Sequence, residues 1–156
     1  MPYSMIIDGQ KRATADVKDV CNPSAGDVVG RMPMATLQDL DDAVAAAARA
    51  FHSWGSAPDA TRKAACHAIA DRIEAHADEL ARLITAEQGK QLNGLGSRFE
   101  VGGTVAWTHA TADVQLQVEV LQDSPEGRIE LHRRPIGVAV LHRLEGVGRY
   151  PVHRPQ

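Results

Sequence analysis

One apolar stripe runs from Ser56 to Gly89. Ile69, Ile73, Ala77, Leu80, Leu83 and Ile84 recur at helical spacing, while Arg62, Asp71, Glu74, Asp78 and Arg82 lie mostly away from them. Ser56-Ala-Pro-Asp59 has the form of a capping box, and Pro58 suits a first helical turn. Gly89 supplies the stop, because only glycine enters the left-handed C′ conformation cheaply. A single helix over this span would be roughly 45 Å long at ~1.5 Å per residue. That is long for a chain of 156 residues. Such a rod implies that it flanks something larger.

The remaining residues fit an alanine-rich, cytoplasmic protein. Apolar residues make up 44% but aromatics only 4%, so the helices must be thin-walled and pack closely. A net charge of -3 calls for neither nucleic acid nor an acidic membrane. The start has no charged region followed by an apolar one, so no export signal is expected. No uninterrupted apolar run is long enough to span a bilayer. Cys21 and Cys66 therefore read as two reduced thiols in the cytoplasm.

The opening third predicts a small, mostly antiparallel sheet. Asp8-Gly9 is a tight-turn dipeptide after the apolar run Met5-Ile-Ile7, and Val17–Val20 is expected as a neighbouring strand. Asn22-Pro-Ser-Ala-Gly26 is a turn, and Asp27–Met34 returns as a strand. Thr36-Leu-Gln-Asp39 is a capping box. It opens a helix whose stripe is Leu37, Leu40, Val44, Ala47, Ala48 and Phe51, ending near Trp54-Gly55. A third helix is expected over 98–111, although Gly102-Gly103 would cost about 1 kcal/mol each relative to alanine. Val114, Leu116, Val118 and Val120 then alternate with polar residues, Asp123–Gly127 turns, and Arg128–His132 alternates back. A two-stranded ribbon of this kind is marginal alone. Pro135–Leu141 begins like a core strand, but the apolar run stops at His142.

The order of these pieces carries a resemblance. "IIDGQ", "VCNPSAGDVVGRMPMAT", a helix ending "AFHSW", a helix ending "LITAEQGKQL", a ribbon and "LHRRPIGV" occur in sequence over residues 5 to about 140. Together they closely resemble the N-terminal part of the aldehyde dehydrogenase superfamily. The resemblance implies an α/β fold: the N-terminal fragment of the aldehyde dehydrogenase fold. Its parts are a small antiparallel sheet, two to three long helices, a protruding β-ribbon and the first strand of the nucleotide-binding sheet. It further implies that 1–113 form the N-terminal part of the cofactor-binding domain and 114–134 the oligomerisation ribbon. Residues 135–141 would start the nucleotide-binding sheet, leaving 142–156 as an off-pattern tail.

Members of this family oxidise aldehydes to carboxylic acids with NAD or NADP, through a cysteine thioester. In the family, the strand at Pro-Ile-Gly-Val leads to a loop near the active site. Here it gives way to His142-Arg-Leu-Glu145. Coded CAC-CGC-CTG-GAA and displaced by one base, that string reads Thr-Ala-Trp. A shifted reading frame accounts for the switch, and simple divergence fits as well. On this reading the catalytic cysteine, the glutamate and the cofactor grip lie beyond the chain. The expectation is an inactive fragment with no catalytic residue and no bound dinucleotide. The alternatives are one piece of a split enzyme, or an interaction module. As a module it would self-associate or pair with a full-length aldehyde dehydrogenase through 114–134. The resemblance also implies a structural monovalent cation, held by the carbonyls of Val20 and Cys21 and the carboxylate of Glu87. Oxygen donors suit a hard cation, and a plain helix-end carboxylate is the competing reading of Glu87.

Other candidates read as ordinary side chains. Cys66 stands beside His67, but adjacent helical residues do not face each other, so Cys66 reads as a packed or partly exposed thiol. The chain has seven histidines but no His-x-x-x-His pair with an acidic neighbour and no Cys-x-x-Cys. Solvated or packed rings are therefore the default. Gly94-Leu-Gly96 and Gly146-Val-Gly148 are half of a dinucleotide fingerprint and read as loops. Arg133-Arg134 reads as solvated surface.

Overall fold

A computed structural model describes residues 3–141. The chain begins with a hairpin of β1 (Met5–Ile7) and β2 (Gln10–Arg12), with Ile7 opposite Gln10. Both turn residues have positive φ, 53° at Asp8 and 73° at Gly9. That is the geometry whose twist matches paired strands, and it explains the dipeptide. β3 (Val17–Cys21) pairs antiparallel with β4 (Val28–Pro33) around a bulge at Val20/Cys21. The connecting turn is held by Asn22, whose side chain accepts from the Ser24 N–H at 2.9 Å.

The single opening sheet is corrected to two separate two-stranded ladders. Thr14 and Asp16 explain the separation. The Asp16 N–H donates to Thr14 Oγ1 at 3.1 Å, and this small turn carries β3 away from the hairpin. One bond still links the two, from the Tyr3 N–H to the Arg31 carbonyl at 3.3 Å.

α1 (Leu37–Gly55) starts at the expected capping box. The Asp39 N–H donates to Thr36 Oγ1 at 3.1 Å, and the Thr36 N–H donates to Asp39 Oδ2 at 2.9 Å. Arg12 reaches over from β2 to Asp39 at 2.9 Å and Asp42 at 2.6 Å, while Arg49 reaches back to Asp8 at 3.0 Å. Hydrogen bonds from the Thr36 hydroxyl and backbone, then from Arg12, hold the Asp39 carboxyl down at about 2. A depressed carboxylate stabilises the fold above its ordinary range and loses that contribution as pH falls through its folded value. The start of α1 is therefore expected to stay intact down to about pH 4 and to fray between there and about pH 2. Amide signals of Leu37–Leu40 would report it. Thr36→Ala should blunt that step and cost about 1 kcal/mol at neutral pH.

The stripe of α1 is not its buried face. Leu37, Leu40 and Val44 are exposed, whereas Ala46 is buried and Phe51 half-buried. The reason is contact. α1 rests chiefly on β1, and its ion pairs to the hairpin fix which side faces inward.

The 45 Å rod is also corrected. It is two helices, α2 (Asp59–Ala75) and α3 (Ala77–Gln88), with a break at His76 (φ −113°, ψ 16°). Both helices pack on α4 (Ser97–Asp113). α4 is about 25 Å long at ~1.5 Å per residue. A straight 45 Å rod would overshoot it. The break lets Ala70 of α2 and Ala81 of α3 both become fully buried, beside Val101 and Ala112 of α4. This is the close alanine packing that the composition predicts. The second capping box does not form. Ser56 instead closes α1, its hydroxyl donating to the His52 carbonyl at 2.8 Å, and Pro58 begins α2 without a side-chain cap. Gly89 does end α3, at φ 67°, with its N–H on the Thr85 carbonyl at 2.9 Å. Buried Ser97 bonds Thr85 at 2.9 Å, tying the start of α4 to α3.

The ribbon is β5 (Glu119–Ser124) and β6 (Gly127–Leu131), antiparallel, turning at Pro125-Glu126. Residues 114–118 alternate but do not pair. Their partners would include Pro135, which has no N–H to give a ladder. Arg133 ends the pairing instead, donating to the Gln117 carbonyl at 3.3 Å and pairing with Glu119. Pro135–Leu141 takes no strand partner among the described residues, and Ile136 and Leu141 are almost fully exposed. The off-pattern tail from His142 and its glycine pair lie outside the described residues.

Candidate functional site

The α2–α4 seam brings together Cys66, His67 and His109. Cys66 projects from α2 into an open groove of about 720 Å³, walled by Ile84, Phe99, Gly103, Trp107 and Thr111. Trp107 is 75% exposed, so the groove is an apolar surface rather than a closed pocket. One residue on, about 100° round the helix, His67 turns to a different part of α4. Its Nδ1 meets Nδ1 of His109 on α4 at 2.8 Å, and its Nε2 lies 3.2 Å from Asp113. His109 Nε2 is 3.7 Å from Asp71. Both nitrogens of His67 are engaged away from Cys66.

The histidine pair is a feature the sequence did not reveal. His67 and His109 are 42 residues apart, and no local spacing joins them. Only the packing of α2 on α4 brings the rings together, with centroids 5.1 Å apart.

The residues assigned to a monovalent cation lie near one junction. Val20 and Cys21 end β3, and the turn after them seats Pro23 and Ser24 against Gly89 at the end of α3. A helix C-terminus carries partial negative charge. Glu87 stands exposed two residues before Gly89, and Val20 is half-buried. Asn22, Ser24, Thr85 and Lys90 line a shallow hollow at this junction. Gly94-Leu-Gly96 follows a helix, not a strand. The Gly96 backbone is packed against the Gln91 carbonyl. Arg133 is occupied by Gln117 and Glu119, which leaves it on the ribbon surface.

Residues 10–141 match the aldehyde dehydrogenase family. The chain belongs to that family, as its N-terminal portion. A probable aldehyde dehydrogenase from a Pseudomonas species is 36% identical over 138 residues, 88% of this chain and 28% of that protein. A 3,6-anhydro-alpha-L-galactose dehydrogenase from Streptomyces coelicolor is 35% identical over 120 residues, 76% of this chain and 24% of that protein. Among solved structures, lactaldehyde dehydrogenase from Escherichia coli superposes with a TM-score of 0.73 at 29% identity, over 79% of this chain and 27% of that one. Betaine aldehyde dehydrogenase from Staphylococcus aureus, solved in complex with NAD+, gives 0.68 at 32% identity over 77% and 25%. The chain thus spans about a quarter of the length of the relatives it matches. Its four helices and small antiparallel ladders are the aldehyde dehydrogenase fold in that quarter. No described helix is long and apolar enough to cross a membrane.

Proposed function

We propose that this chain is a scaffold portion of an NAD(P)-dependent aldehyde dehydrogenase and does not carry out the oxidation by itself. The observation behind this reading is the engagement of His67. With both ring nitrogens directed to His109 and Asp113, His67 is not placed to take the Cys66 proton, and Cys21 is exposed on a two-stranded ladder. A neighbouring base is one way in which a thiol becomes the attacking thiolate. In this reading 1–113 belong to the cofactor-binding domain, 135–141 to the start of its sheet, and Val20, Cys21 and Glu87 to a monovalent cation site. Two free thiols on separate elements support a cytoplasmic setting.

The ribbon supports a compatible second reading: pairing through 114–134 with another copy or an intact relative. Val120, Leu121, Ile129 and Leu131 are all exposed, and a bare ribbon of this kind seeks a partner. One assay separates the readings. The purified chain is mixed with NAD or NADP and a panel of aldehydes, and absorbance of the reduced cofactor is followed. No rate above the blank is expected, and steady turnover would overturn the scaffold role. Added to a full-length relative, a docking fragment changes that enzyme's rate, whereas a bystander leaves it unchanged.

A further inference from the structure

We draw no further inference here: the strongest candidate, the open apolar groove beside Cys66 that Ile84 of α3 and Phe99 and Trp107 of α4 wall, carries nothing because nothing in the structure shows what covers it.

Discussion

Gly96→Ala is expected to destabilise the helical core by about 3 kcal/mol or more, the upper end of what overpacking costs. Gly96 caps α4, and its φ of −91° is open to any residue. The obstacle is space. A Cβ placed there would lie 1.9 Å from the Gln91 carbonyl oxygen and 2.8 Å from that of Asn93. Both are backbone atoms in a loop with its own hydrogen bonds. The Ser97 N–H holds the Gln91 carbonyl at 2.9 Å, and the Arg98 N–H holds that of Leu92 at 3.1 Å. Relief of the clash must open these bonds and pull Ser97 away from Thr85, its partner in the core. Urea denaturation followed by circular dichroism measures the loss. Gly102→Ala is the matched control. It lies inside α4 with nothing within 4 Å of an added Cβ, so alanine there should stabilise by about 1 kcal/mol. Equal effects at the two glycines would mean that the loop before α4 is not packed as described.

Features decided by neighbouring residues were legible in the sequence. Asp8-Gly9, the Thr36–Asp39 box and Gly89 each work through bonds within a few residues, and each forms as read. The rest was decided by distant contacts. An apolar stripe cannot reveal that α2 and α3 must bend at His76, because that bend answers to α4. Ser56 and Asp59 satisfy the capping pattern, yet Ser56 is already committed to the end of α1. The alternation from Val114 promised a longer ribbon, but the ladder stops at Glu119 and Leu131. The same limit hid the histidine pair. At the junction of β3 with the end of α3 the sequence named Val20, Cys21 and Glu87 only by family likeness. The fold supplies the docking of the Asn22–Ser24 turn on the end of α3.

That docking gives the second large effect, at Gly89. Gly89→Ala is expected to cost about 3 kcal/mol from two separable sources. The φ of 67° is left-handed, which costs a residue with a Cβ roughly 1–2 kcal/mol. The added carbon would also stand 2.8 Å from Pro23 Cγ and 3.1 Å from Ser24 Oγ. A proline ring cannot swing aside, so the turn must lift from the helix end. Pro23→Ala removes that ring. In the double variant the steric part should be relieved and only the backbone part should remain, a coupling of about 1–2 kcal/mol in a double-mutant cycle. A cycle without coupling would show that the turn does not rest on α3. The carbonyls of Val20 and Cys21 would then have no fixed relation to Glu87, because nothing else named at this junction holds β3 to the end of that helix.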